Sequence, residues 1–193
     1  MTNILRYPLR NISPEQISDL QEKYPNASIQ IELHDTPIAG GLSEDGFWEL
    51  ISLLDWQQMG NDDAVIEPVV EALSNAPLRH LYDFKDILSQ KLYRLDTMAH
   101  AKEIGKGAYS QESPVFSEDG FLFARCCAVA NGQKQYEDIL NNPKLMPKDM
   151  EFAPLLRIAN EAHRRSQKTT LRYVSVYSIE TFSNRKGWEG LLQ

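Results

Sequence analysis

The stretch Phe121–Ala130, FLFARCCAVA, constrains the fold of this chain more than any other segment. Arg125 is its one polar side chain. A helix that is apolar almost all the way round has to be enclosed by other elements. A guanidinium carried inside with it needs a carboxylate or several carbonyls, because an unpaired buried charge is very costly. Asp96 is the expected carboxylate; contact with an anion or a partner is the alternative reading of Arg125. Cys126 and Cys127 are adjacent, so they cannot staple distant segments, and they lack the spacing of a metal site. They read as small hydrophobic side chains inside a helix.

That helix is entered by a pentapeptide that the chain uses twice. SEDGF stands at Ser43–Phe47 and again at Ser117–Phe121. Ser43 and Ser117 suit the N-cap, and the two carboxylates that follow each serine suit the positive end of the helix dipole. Neither copy has the glutamate that would complete a capping box. Phe47, Leu50, Ile51 and Leu54 then form one helical stripe. After the second copy, Gly132 falls where a helix C-terminus favours a positive φ. The segments diverge beyond the pentad, so the repetition is a repeated helix start rather than a duplicated domain.

The remaining periodicity is mostly helical. Ser13 and Pro14 open a helix carrying Ile17, Leu20 and Tyr24, closed by Pro25. Ala27–Leu33 alternates as a half-buried strand. Asn61–Asn75 has helical period but contains Pro68, so the helix either begins late or kinks there. Pro77–Gly105 is the longest periodic segment, with Leu81, Phe84, Leu88, Leu92, Leu95 and Ala99 as its seam. Gln133–Asn142 is a short helix, and Phe152, Leu155, Leu156, Ala159 and His163 share the face of another. Leu171–Glu180 alternates as a second strand. The expected fold is mainly α (α+β): a bundle-like body of six or seven helices with a small two-stranded β element drawn from the N- and C-terminal segments.

Net charge is −7, unevenly spread. From Lys144 onward nine basic residues face five acidic ones; the preceding residues carry 11 basic and 22 acidic groups. An acidic body disfavours nucleic acid, whose phosphates it repels, and suits a basic protein partner. It also keeps a protein soluble. No apolar run approaches the roughly 18 residues of a membrane span, and the N-terminus lacks a signal-peptide core. A cytoplasmic protein, with neither membrane nor nucleic-acid partner, is expected.

Catalytic motifs are not assembled locally: HExxH, GxSxG, GxGxxG and the P-loop frame are all missing. Glu32 and His34 would share one strand face, a weak hint of paired ligands. His163, beside Arg164 and Arg165, suits a helix C-terminus. No cofactor and no metal site is expected. The candidate binding set is Asp96, Arg125, Glu180, Asn184 and Trp188. Its C-terminal members lie in YSIETFSNRKGW, where polar groups sit between aromatic anchors; the same composition suits a well-tied chain end.

Taken together, SEDGFWELISLLDW, NDDAVIEPVVEAL, FKDILSQKLYRLDTMAHA, SEDGFLFARCCAVANGQKQYEDILNNP, EFAPLLRIANEAH and YSIETFSNRKGW resemble the bacterial domain-of-unknown-function family 4240. The resemblance spans about residues 41–190 and implies a mostly helical fold and a bacterial origin. It implies no reaction and no catalytic residue. Residues 1–40 are then an N-terminal α/β appendage and 41–193 the helical domain. The expected role is a non-catalytic protein-binding or regulatory one, such as a toxin-neutralising immunity protein. The alternative is a hydrolase-type enzyme whose site gathers Asp96, Arg125 and Glu180 from distant positions.

Overall fold

Both SEDGF copies start helices, and by the expected bond. Ser43 Oγ accepts the Gly46 amide and Ser117 Oγ the Gly120 amide, each at 3.0 Å. The computed structural model describes residues 4–5, 14–26, 41–110 and 116–189. In chain order it contains β1 (Ile4–Leu5), α1 (Pro14–Lys23), α2 (Glu44–Ile51), α3 (Asp62–Asn75), α4 (Leu78–Leu95), α5 (Met98–Ala101), α6 (Glu118–Ala130), α7 (Gln133–Asn141), α8 (Ile158–Gln167) and β2 (Tyr173–Val174). The fold is mainly helical, as the periodicity predicts, and the described residues contain one short strand pair.

α6 occupies the middle of the core. Phe121, Leu122, Ala124 and every residue from Arg125 to Ala130 are buried. α4, α7 and the 3-10 turn Ala153–Arg157 pack around it. Gly132, just past its end, has a φ of 92° and reverses the chain into α7, a conformation that favours glycine.

α3 corrects one sequence alternative. It does not start late at Pro68, because the Asn61 side chain caps the Ala64 amide at 3.2 Å and fixes the start at Asp62. The helix runs through the proline, which forfeits one backbone bond. Val65, Ile66, Val69, Val70 and Leu73 are all buried, and the helix packs extensively on α8. Each fully buried aliphatic side chain contributes about 1.5–3 kcal/mol, enough to outweigh the lost bond. Arg157–Asp63 (2.8 Å) and the bidentate Arg165–Glu67 pair (2.7 and 2.8 Å) tie α8 to α3 at the surface.

Three other expectations change. The long segment from Pro77 does not continue to Gly105: α4 stops at Leu95 and Thr97 caps a separate turn, α5, leaving Ala99 exposed. The Leu171–Glu180 strand shrinks to Tyr173–Val174, which pairs in parallel with Ile4–Leu5; its continuation follows α4 instead of a sheet. The strand expected at Ala27–Leu33 lies outside the described residues, as do Glu32 and His34. On α1, Ile17 is 42% exposed, so its expected apolar stripe is not sealed.

Replacing Ser43 or Ser117 by alanine should cost about 1 kcal/mol each, the usual worth of a serine cap. The two caps share no partner, so the double variant should lose about the sum. Urea unfolding checks this: the midpoint should fall with the slope unchanged.

Candidate functional site

The break between α4 and α5 creates the most polar buried locus. Asp96 ends α4 with non-helical backbone (φ −75°, ψ 72°) and is fully buried. Its carboxylate accepts from the Phe182 amide (3.2 Å) and the Trp188 indole (2.9 Å) on Oδ1, and from the Asn184 amide (2.9 Å) on Oδ2. The Ser183 hydroxyl lies 3.3 Å from Oδ2 and 3.1 Å from the Ser178 carbonyl, so its single proton serves one of them at a time. A carboxylate ringed by donors in this way is satisfied without a cation.

Arg125 reaches the same segment from the other side. Nη1 donates to the Leu92 carbonyl (3.0 Å), and Nη2 to the Ile179 carbonyl (3.1 Å) and Thr181 Oγ1 (3.0 Å). Thr181 passes its own proton to the Glu118 carbonyl (2.8 Å). The guanidinium carbon lies 4.7 Å from the centre of the Phe121 ring, a cation–π distance. Arg125 and Asp96 make no direct ion pair, which corrects the expected partnership; the carbonyl alternative holds. Burial pulls the guanidinium below the ordinary arginine value, and the field of Asp96 partly opposes that.

Asn184 adds a bond from Nδ2 to the Tyr93 carbonyl (3.1 Å), while its Oδ1 caps the following 3-10 turn at Gly187 (3.2 Å). Trp188 is buried among the rings of Tyr109, Phe116, Phe121 and Phe182. Phe182 holds a φ of 71°, unfavourable for a bulky residue. Its amide bond to Asp96 and its ring contact with Trp188 (4.5 Å) hold it there. Gly187 approaches so closely that a Cβ would sit 2.7 Å from Thr97 Cγ2 and 2.8 Å from the Asp96 carbonyl.

Upstream, the same segment lies along α4. Tyr173 stacks on Tyr82 (4.6 Å), Tyr177 packs on Tyr93 (5.0 Å), Lys85 Nζ donates to the Tyr173 carbonyl (3.2 Å), and Asp86 accepts from the Tyr173 hydroxyl and the Val176 amide. Residues 173–188 therefore form a strap from the middle of α4 to its end.

Four of the five candidates thus converge: Asp96, Arg125, Asn184 and Trp188 build one clamp on the strap. Glu180 does not join them. It is exposed, its carboxylate makes no hydrogen bond or ion pair among the described residues, and it reaches Arg125 only through its field. Two open grooves among the described residues, of about 420 and 430 Å³, are not lined by Asp96, Arg125 or Glu180.

The candidate set left out Thr181, though it is one of the hydrogen-bonding residues of the C-terminal run, and sequence reasoning missed Lys91. Lys91 is buried on α4, bonded to Glu44 and placed 5.7 Å from the Trp48 ring and 5.5 Å from the Tyr136 ring. Its position between Leu88 and Leu92 was the available signal. Burial pushes the Cys126 thiol up to about 12 and also raises Cys127, which favours the protonated thiol in both. His163 Nδ1 lies 2.9 Å from the Thr169 carbonyl, a structural bond at the end of α8. Among the described residues no three His, Cys, Asp or Glu side chains are grouped to hold a metal ion, and no helix is long and apolar enough to cross a membrane.

With this geometry in view, the family comparison is decisive on kinship. The model of the protein-of-unknown-function family DUF4240 matches residues 42–165. The chain belongs to the DUF4240 family. The matched stretch contains α2 through most of α8, with Asp96, Arg125 and the Leu92 carbonyl, but ends before the strap that supplies their other partners. No curated protein and no solved structure matches the chain. Membership of DUF4240 brings kinship and no reaction.

Asp96→Ala should destabilise by about 3 kcal/mol or more, since it strands several buried donors. Hydrogen exchange should then accelerate first at the Phe182 and Asn184 amides, while α3 stays protected.

A second outcome concerns His100, buried on α5 with Nδ1 2.7 Å from Thr97 Oγ1 and Nε2 3.2 Å from the Ile139 carbonyl. Burial lowers its pKa first, and the nearby positive Arg125 lowers it further against the pull of Ile139. Below about 6.5 the unfolded chain therefore binds more protons than the folded one, so stability falls as pH drops. Glu44 and Glu67, lowered by Lys91 and Arg165, lose their contribution only below the ordinary value of 4.5. Thermal unfolding between about pH 7 and pH 5 should show a slope that His100→Gln flattens.

Proposed function

We propose that this DUF4240 protein is a bacterial, cytoplasmic, non-catalytic regulator that acts by binding a basic protein, with neutralisation of a toxin as the specific form of that role. The supporting observation is the acidity of the segment that holds α2, α3 and the connection between them. Between Lys23 and Arg79 the chain has ten carboxylates and no lysine or arginine. Within that stretch α2 and α3 leave Asp45, Glu49, Asp62 and Glu71 exposed. Such a field accelerates encounter with a positively charged surface and rejects acidic partners. An enzyme built on Asp96, Arg125 and Glu180 gains no support from their geometry: the first two are spent on the strap, and the third points away.

Capture from the native host tests this reading. A basic protein should be recovered in stoichiometric amount at low salt and lost as the Debye length shrinks from about 10 Å at 0.1 M toward 3 Å at 1 M. The charge-reversed Glu49→Lys/Asp62→Lys variant should recover far less. Recovery of no stoichiometric partner, or of one indifferent to both changes, would count against it.

A further inference from the structure

The connection between these two acidic helices carries large apolar side chains that stay exposed. Leu53, Trp56 and Met59 are 43%, 38% and 78% exposed, and all lie in the short connection between α2 and α3. Isolated exposed hydrophobic residues are ordinary; three within seven residues of one tight connection are a concentration of apolar surface.

The connection is held firmly. The Asp55 amide donates to the Val65 carbonyl (3.0 Å), anchoring the segment to α3. The Asp55 carboxylate accepts the Gln57 amide (3.1 Å), and the Asn61 amide donates to the Gln58 carbonyl (2.9 Å). The Trp56 ring lies 5.1 Å from that of Phe152, which sits in the core. These side chains are therefore presented in a fixed arrangement, so little ordering entropy remains to be lost on binding. Tryptophan is among the residues most enriched at interface hot spots. Met59 adds a flexible thioether that adapts to its counterpart.

Carboxylates border the patch. Glu49 stands on the α2 side, Asp55 within it, and Asp62 and Asp63 on the α3 side; of these Asp63 is shared with Arg157. This arrangement selects among occupants. A second copy of the chain would bring a like-charged face, and an anionic lipid surface would be repelled. An apolar strip with acidic margins complements a helix whose apolar stripe is flanked by lysine and arginine.

We infer that Leu53, Trp56 and Met59 are the anchors by which the acidic α2–α3 face holds a basic amphipathic helix of its partner protein. This rests on the regulatory reading above and specifies the chemistry of the partner at that face.

The test uses the full chain and two synthetic peptides of about 18 residues, five helical turns. One is a lysine/leucine amphipathic helix; the other has the same charge but serine and glycine in place of leucine. Amide NMR shifts and titration are read for the wild type and for Leu53→Ser/Met59→Ser. Both substituted side chains are largely outside the core, and a thermal melt confirms that the variant is folded. The amphipathic peptide should shift residues 49–63 and bind the variant at least about tenfold more weakly, a loss of about 1.4 kcal/mol. The serine/glycine peptide should bind more weakly than the amphipathic one and should not distinguish the two proteins. Equal affinity of the amphipathic peptide for wild type and variant, shifts confined to other faces, or no binding of that peptide would each overturn the inference. Equal, salt-sensitive binding of both peptides would remove the anchors yet leave the acidic face as a partner surface. Host capture decides that broader reading separately.

Discussion

A carboxylate with no access to water has to find its donors within the protein, and the buried side chain of Asp96 sets the terms for much of this fold. It sits where α4 gives way to α5, and the groups that satisfy it arrive from residues 86 to 92 positions further along the chain. Their geometry fixes the strap: Phe182 in a left-handed backbone conformation, Gly187 against the Asp96 carbonyl, and Trp188 with its indole proton turned inward. Arg125 imposes a matching demand from α6. Its guanidinium uses two carbonyls and a hydroxyl, so the oppositely charged pair is resolved through the strap rather than by direct contact. This arrangement exchanges one interior ion pair for several hydrogen bonds to backbone, each of which defines position as well as energy.

Much of this was legible in the sequence because the signals were local. A serine, two carboxylates and a glycine before an apolar run specify a helix start wherever they occur, and both copies behave alike. The FLFARCCAVA stretch could only be interior, and a lone arginine inside it had to be bonded. Helical period also hid something: the seam Leu88, Leu92, Leu95, Ala99 runs unbroken through Asp96, so nothing in hydrophobic spacing marks the break. The mark was chemical, an aspartate followed by a threonine able to cap a new turn. The C-terminal alternation was misleading for the opposite reason. Tyr173, Tyr177 and their neighbours alternate as a strand would, but their partners are tyrosines and carboxylates on α4, and only two residues enter a ladder.

Within the clamp, Asp96, Arg125, Asn184 and Trp188 were identifiable because their chemistry demands partners. Thr181 was not, since its role depends on a carbonyl of Glu118 and a guanidinium meeting at one hydroxyl. Glu180 belonged to the right segment, yet a carboxylate at that point turns to solvent, where it needs nothing from the protein. The acidic α2–α3 face emerges from the chain on different terms: its carboxylates recur without any intervening lysine or arginine, while the exposure of Trp56 and Met59 depends on tertiary packing that periodicity does not encode.

The family boundary and the thermodynamic boundary of this protein do not coincide. The matched stretch holds the carboxylate and the guanidinium; the donors to Asp96, and two of the three acceptors of Arg125, come afterwards. During synthesis the stretch with Asp96 and Arg125 is therefore made before the strap, so their full set of hydrogen bonds cannot form until residues 179–188 have followed.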